Sequence, residues 1–141
     1  MTAFWRTWFT IWSIFVMLFG LVLAGAGLPA LDGIATLIFG IIGATDIVWT
    51  PELRFTSALM GAVTLGWGMT LLTGIRAAIA LGDNGAPVWR GLLIAMLVWF
   101  VVDSSMSVAT GFWLNAVSNT IITAAFIIGV ISSGALKAQT T

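Results

Sequence analysis

The sequence predicts an all-α integral membrane protein, a four-transmembrane-helix bundle with an outer re-entrant or interfacial segment. Of its 141 residues, 60% are hydrophobic and only 7% are charged, whereas about a quarter of the residues in a soluble domain are charged. The few charges leave four apolar stretches, each near the roughly 20 residues that a helix needs to cross a bilayer. We therefore treat residues 1–141 as a single four-helix transmembrane domain.

Composition also excludes several classes of function. The formal net charge is +0 at pH 7, so a basic face for nucleic acid is not expected. The chain contains no cysteine and no histidine, which removes disulfides, thiol redox chemistry, haem ligation through these residues and the usual transition-metal sites. A site built from carboxylates and hydroxyls remains possible, and no cofactor is predicted.

The first span is predicted over residues 8–28, shortly after Arg6. The same stretch is similar to a secretory signal peptide, with Arg6 as its basic start and Ala24, Gly25 and Ala26 as a small-residue cleavage site. Its apolar run is longer, however, than the h-region of about 7–15 residues in such peptides. We therefore interpret this stretch as a retained transmembrane helix.

Three further spans are predicted over residues 55–81, 88–110 and 115–136. The second and third spans are separated by "GDNGAP" (82–87), whose residues tolerate turn dihedrals. The third and fourth spans are separated by "TGFWLN" (110–115), which is a second short turn. Spans joined by turns this short are expected to be neighbours in the bundle.

The segment 29–54 is too irregular to be read as a fifth span. Its apolar core, between Asp32 and Asp46, is shorter than the roughly 20 residues of a spanning helix. Glycines within that core weaken it further as a helix, and Pro51 suits the first turn of the helix that follows. We expect this outer loop segment to lie on, or dip into, the outer face and to cap the bundle.

The distribution of basic residues favours four spans over five. With four spans, the N-terminus, the 82–87 turn and the C-terminus lie on one side of the membrane. The basic residues of that side are Arg6, Arg76, Arg90 and Lys137. The opposite side keeps only Arg54, whereas a five-span arrangement would move Arg76 and Arg90 there. Because cytoplasmic flanks favour Lys and Arg, both termini are predicted to be cytoplasmic.

The tryptophans agree with this arrangement of four spans. Most of them fall near the predicted span ends, where indole rings anchor helices at the membrane interface. Those on the inner side are Trp5, Trp8, Trp12 and Trp89, and those on the outer side are Trp49 and Trp113. Trp67 and Trp99 sit deeper, and we expect them to pack between helices.

The second span carries a small residue at every fourth position. The residues of this stripe are Ala58, Ala62, Gly66, Thr70, Gly74 and Ala78. Stripes of small residues let helix backbones approach closely in lipid, where apolar burial alone does not drive association. The stripe predicts close helix packing, either inside a single bundle or between copies of the chain.

Asp103 is the most unusual charge, because it falls inside the third span. It lies roughly 22 Å along the helix from Val88, at about 1.5 Å per residue, and therefore in the outer half of the membrane. A carboxylate at the bilayer centre costs about 2.5–3.5 kcal/mol on insertion scales. That cost implies a partner, a wet cavity or a protonated acid.

Several polar residues are predicted at the same depth as Asp103. They form an outer polar cluster of Asp103, Arg54, Asp46, Glu52, Ser104, Ser105, Ser107, Asn115 and Asn119. In one interpretation, Asp103 pairs with Arg54 or accepts hydrogen bonds and so holds the bundle together. In the other, it belongs to a ligand or proton site that opens outward, because ionisable residues within membranes are often functional.

One stretch resembles a known group of proteins. "TPELRFTSALMGAVTLGWGMTLL" (50–72) brings an acidic and a basic residue into a second span rich in small residues. It is similar to the small four-span bacterial membrane proteins of the broad DoxX-like group, and the layout is similar over most of the chain. The resemblance implies a four-helix bundle in a bacterial inner membrane, and some members are associated with oxidoreductase systems. The lack of Cys and His argues against redox chemistry within this chain.

Three functions fit these residues. The first is a non-enzymatic protein that serves as an accessory subunit of a larger membrane complex or holds a lipid-like or small hydrophobic ligand between its helices. The second is a small secondary or proton-coupled transporter that uses Asp103 and works as an oligomer. The third, and least favoured, is a membrane enzyme with a carboxylate site near Asp46, Glu52 and Asp103. The expected partners are membrane lipids, a larger complex or further copies of the chain.

Overall fold

A computed structural model describes residues 1–136 of the chain as a bundle of α-helices. Its elements are α1 (Ala3–Gly25), α2 (Gly33–Ile41), α3 (Pro51–Ala80), a 3₁₀ helix (Gly82–Gly85), α4 (Ala86–Ala109) and α5 (Trp113–Ser132). No strand occurs within residues 1–136. Lys137, which the sequence places among the basic residues of the inner side, lies outside the described residues.

Four of these helices, α1, α3, α4 and α5, are long and apolar enough to cross a membrane. The all-helical class and the set of four long helices are thereby confirmed. Helix α2 is only about 14 Å long at about 1.5 Å per residue, less than half of a hydrocarbon core of about 30 Å. It is therefore too short to cross.

The helix ends differ from the predicted spans by up to five residues: α1 begins at Ala3 rather than at residue 8, and α5 ends at Ser132 rather than at residue 136. Two further differences have a local cause. Helix α1 ends at Gly25 rather than at residue 28, because Pro29 follows and disfavours a helical conformation in the residue before it. Helix α3 begins at Pro51 rather than at residue 55. Its N-cap is Thr50, whose hydroxyl accepts a hydrogen bond from the backbone N–H of Leu53 at 3.3 Å. A hydroxyl cap followed by proline is a favoured helix start.

The long helices alternate in direction, so that α1 is antiparallel to α3, α3 to α4 and α4 to α5. Helix α1 packs along α3 and also contacts α5, which closes the four helices into one bundle. We call the end where α1 begins and where the Gly82–Gly85 turn lies the basic end. The opposite end, which carries α2 and the turn at 110–112, is the loop end.

The aromatic core lies in the half of the bundle nearest the basic end. Phe9 packs against Trp89 and Phe126, with ring centres 4.8 and 5.7 Å apart. Trp12 and Trp89 were predicted as interface anchors, but they are only 8% and 2% exposed. Burial of Trp12 is possible because its indole N–H donates to the backbone carbonyl of Ile122 at 3.1 Å, which satisfies its one polar group.

Indole rings also join other pairs of helices. Trp67 on α3 lies against Trp99 on α4, with ring centres 5.2 Å apart, so these two deeper tryptophans do pack between helices as predicted. Trp8 donates from Nε1 to the backbone carbonyl of Ala125 on α5 at 3.2 Å. Tryptophan therefore contributes to contacts of α1 with α5 and of α3 with α4.

Helices α1 and α3 approach each other through glycine. A Cβ atom at Gly20 would lie 2.9 Å from the carbonyl oxygen of Gly61. A Cβ at Gly61 would overlap the backbone of Ala24, and one at Gly68 would lie 2.7 Å from Cγ of Met17. Gly20 and Gly61 need to be glycine because the neighbouring backbone occupies the space of a side chain, whereas the nearest atom at Gly68 belongs to the Met17 side chain.

The small-residue stripe of α3 does not form one contact face inside the bundle, and its predicted role in contact between copies of the chain stays a prediction. Ala62 and Gly66 are exposed, and a Cβ at Gly66 would meet nothing within 4 Å. Ala58 contacts Gly27, whereas Gly74 faces Leu92 on α4. The reason is helical geometry: each step of four residues turns about 40° past a full rotation, so a long stripe winds around the helix.

Candidate functional site

Asp103 lies in the last third of α4, close to the loop end, and is partly buried. Its neighbour on the same helix face is Ser107, one turn further along the chain. The hydroxyl of Ser107 donates to the backbone carbonyl of Asp103 at 2.8 Å and lies 3.2 Å from its carboxylate oxygen Oδ1. This pair of residues faces α5 across the 110–112 turn.

Two asparagines of α5 donate to the same carboxylate oxygen. The side-chain amide of Asn119 lies 2.7 Å from Asp103 Oδ1, and that of Asn115 lies 2.9 Å from it. The amide of Asn115 also reaches the Ser107 hydroxyl at 2.9 Å, and that of Asn119 reaches the Ser104 hydroxyl at 3.3 Å. We call these five residues the Asp103 cluster.

Local sequence explains how the Asp103 cluster forms. Asn115 and Asn119 are four residues apart on α5, and Asp103 and Ser107 are four apart on α4, so each pair lies on one helix face. Gly111 adopts φ of +88° in the connecting turn, a conformation that favours glycine. The reversal at this turn brings the two faces together.

The hydrogen-bond donors to the Asp103 carboxylate are uncharged side chains. Within residues 1–136, the only ion pair joins Arg54 to Asp32, so no cationic side chain pairs with Asp103 there. The three hydrogen bonds to Oδ1 offset part of the cost of placing a carboxylate in an apolar setting. Such an arrangement can hold two helices together, and it can also bind a proton or another cation.

Thr123 extends this polar face deeper into the bundle. It follows Asn119 by one turn of α5 and is only 4% exposed. Its hydroxyl is buried and has no hydrogen-bond partner within residues 1–136, although buried hydroxyls are nearly always paired. Sequence reasoning missed Thr123, but its spacing from Asn115 and Asn119, four residues each time, was a usable signal.

Arg54 does not pair with Asp103, so that predicted contact is wrong. Its guanidinium lies 2.8 Å from Oδ2 of Asp32 and donates to the backbone carbonyl of Ala26 at 3.1 Å. The guanidinium also lies over the Trp49 ring, 5.3 Å from its centre. We call Ala26, Asp32, Trp49 and Arg54 the Arg54 clasp.

The packing of α1 against α3 explains this choice of partner. Arg54 belongs to the first turns of α3, and the antiparallel α1 ends beside it at the loop end. Asp32 follows α1 closely in the chain, so it lies beside Arg54 at the same end of the bundle. Trp49 is held in turn by a hydrogen bond from its indole N–H to the Thr36 hydroxyl of α2, at 2.9 Å.

The other predicted members of the site lie apart from both clusters. Asp46 is exposed in the connector between α2 and α3 and has φ of +54°, a conformation that Asp tolerates better than most residues. Glu52 is exposed in the first turn of α3, where a carboxylate complements the positive end of the helix dipole. Ser105 is exposed on α4.

The geometry therefore divides the predicted outer polar cluster into two separate groups and some exposed residues. Within residues 1–136, no group of three or more acidic side chains is placed to hold a metal ion. Comparisons with protein-family models, with curated proteins and with solved structures found no match. The resemblance to the DoxX-like group accordingly stays a prediction.

Proposed function

We propose that this chain is a non-enzymatic membrane protein that serves as an accessory subunit of a larger membrane complex. The observation that carries the proposal is the Asp103 cluster, whose polar side chains bond to one another across α4 and α5. Groups held in this way fix the relative position of two helices, and a rigid bundle is what a scaffold subunit requires. The exposed small residues Ala62 and Gly66 support the same proposal, because they leave a face of α3 on which another helix can pack.

Purification in mild detergent followed by native mass spectrometry tests this role. We expect the wild-type chain to co-purify with another membrane protein, and Gly66→Leu to reduce that recovery by blocking close helix approach. Met60→Leu is the matched control, because Met60 is also exposed on α3 and the change conserves volume. Recovery of a monomer that carries lipids alone would contradict the subunit role and favour a lipid-binding one.

The alternative function is a small proton-coupled transporter that uses Asp103 and works as an oligomer. The Thr123 hydroxyl, which has no hydrogen-bond partner within residues 1–136, favours this alternative, because it continues the polar face of the Asp103 cluster toward the middle of the bundle. In liposomes, this function requires that Asp103→Asn abolish proton flux while Asp83→Asn, an exposed control at the basic end, leaves it unchanged. Equal flux in wild type and Asp103→Asn would exclude it.

We also propose that the protein resides in a bacterial inner membrane with both termini in the cytoplasm. The orientation rests on Arg6, Arg76 and Arg90, which belong to the basic end, whereas Arg54 lies at the loop end. The bacterial inner membrane is what the resemblance to the DoxX-like group implies. Reporter fusions after Gly85 should read cytoplasmic and fusions at Trp49 should read periplasmic. Fusions that place both positions on the same side would contradict this topology.

A further inference from the structure

An amphipathic groove lies between α1 and α3 at the basic end, far from the Asp103 cluster and the Arg54 clasp. Its volume is about 470 Å³, and its lining residues are Arg6, Thr10, Ile75, Arg76, Ile79 and Ala80. The groove thus combines two arginines and a hydroxyl with apolar side chains. Neither arginine contributed to the site or to the core described above.

The two arginines are available for an anion. Within residues 1–136, neither Arg6 nor Arg76 has an acidic side chain within 4.0 Å, because the only ion pair there joins Arg54 to Asp32. Both side chains are exposed. Asp83 is the acidic residue of this end, but it lines a neighbouring cleft that shares only Ile79 with the groove.

The position of the groove restricts what can occupy it. Arg6 lies near the start of α1 and Arg76 near the end of α3, so both belong to the turns that meet the membrane surface. On the α3 side of the groove, Ile79 is partly exposed next to the charged groups, and Ile75 forms the floor, where it is only 1% exposed. A ligand that fits must carry negative charge at the surface and apolar chains beside it.

We infer that this groove binds the phosphate-bearing headgroup of an anionic membrane lipid. The phosphate lies between the guanidinium groups of Arg6 and Arg76, which bind phosphate oxygens through paired N–H donors. The acyl chains extend toward the bilayer centre along the face of α3 that carries Arg76, on which Met69 is 58% exposed. Basic pockets between membrane helices on the cytoplasmic side hold lipid headgroups in this way. The inference is independent of the proposed subunit role, which depends on other faces of the bundle.

Lipid-dependent thermal stabilisation of the detergent-purified chain tests the site. Phosphatidylglycerol should raise the unfolding temperature of the wild type in a saturable manner, and phosphatidylcholine with the same chains should not. Each arginine is expected to contribute about fivefold in apparent affinity, so Arg6→Gln with Arg76→Gln should weaken the effect about 25-fold. Replacement of both arginines by lysine keeps the charge but removes the paired N–H donors, so it should weaken the effect less than the glutamine variant does, which separates loss of charge from loss of fold.

Arg90→Gln is the matched control, because Arg90 is an exposed arginine of the same end that does not line the groove. It should leave the response to phosphatidylglycerol unchanged. An equal loss in Arg90→Gln, or an equal response to phosphatidylcholine, would overturn the inference. So would inorganic phosphate that saturates the same stabilisation at the same concentration, because the site would then belong to a free anion.

Discussion

Helices α1 and α3 are joined differently from helices α4 and α5. The first pair touches backbone to backbone, at Gly20 and Gly61, with no interhelical hydrogen bond between side chains along the contact. The second pair is joined near the loop end by carboxylate, amide and hydroxyl groups, with Asp103 at the centre. The chain therefore uses both of the means by which helices associate in lipid, which are close packing and interhelical hydrogen bonding.

The two modes differ in how they respond to a change of one residue. Close packing fails when any atom is added, because the backbones cannot separate locally without losing contacts along the helix. A hydrogen-bonded cluster loses stability in smaller steps, because removal of one donor leaves the other hydrogen bonds in place. The following substitutions are ordered by the effect that this difference predicts.

The largest effect is expected for Gly61→Ala. Its Cβ would overlap the backbone of Ala24 on α1, and neither backbone can move aside alone. We expect a loss of about 3 kcal/mol in the free energy of unfolding, measured in detergent by denaturant titration. Gly66→Ala is the matched control on the same helix, since nothing lies within 4 Å of its added Cβ. Equal losses in the two variants would show that α3 does not meet α1 through Gly61.

This contrast between Gly61 and Gly66 shows where sequence reasoning stops. The four long helices were predictable, because the length of an apolar run is a local property of the chain. Which glycine faces the neighbouring helix was not, since small residues surround much of α3. That choice depends on how α3 returns alongside α1, which is decided by packing in three dimensions.

A smaller effect is expected from the Asp103 cluster. Asp103→Ala and Asn119→Ala should each destabilise the protein, and a double-mutant cycle should give a coupling energy of about 1–2 kcal/mol. The physical reason is the 2.7 Å hydrogen bond between the two side chains, which either change removes. Thermal or denaturant unfolding of the four variants measures it. A coupling energy near zero would mean that this hydrogen bond does not contribute to holding α4 and α5 together.

A double-mutant cycle of Asp103 and Arg54 tests whether these two side chains are independent of each other. Asp103→Ala and Arg54→Gln share no partner, because Arg54 binds Asp32 and Ala26. Their effects should therefore add within about 0.5 kcal/mol. If the double variant is more stable than the sum of the two losses predicts, then Asp103 and Arg54 do pair directly, as the sequence predicted.

The donors to Asp103 were predictable, whereas the partner of Arg54 was not. Ser107, Asn115 and Asn119 lie at the depth of Asp103 on helices joined by a short turn, so their distances follow from helix length alone. Arg54 lies at a similar depth, but depth does not say which helix is beside it. The path of residues 26–50 over the loop end decides that, and no periodic pattern in the sequence encodes this path.

The smallest effect is expected in the Arg54 clasp. Its two charged side chains are 20% and 21% exposed, so water and salt screen their attraction, and a coupling energy of about 1 kcal/mol or less is expected. A cycle of Asp32→Asn and Arg54→Gln, measured at low salt and at 0.5 M NaCl, should show a coupling that shrinks as salt rises. The coupling between Asp103 and Asn119 should be nearly insensitive to salt, because the amide is neutral. A clasp coupling that does not change with salt would contradict an ion pair between Arg54 and Asp32.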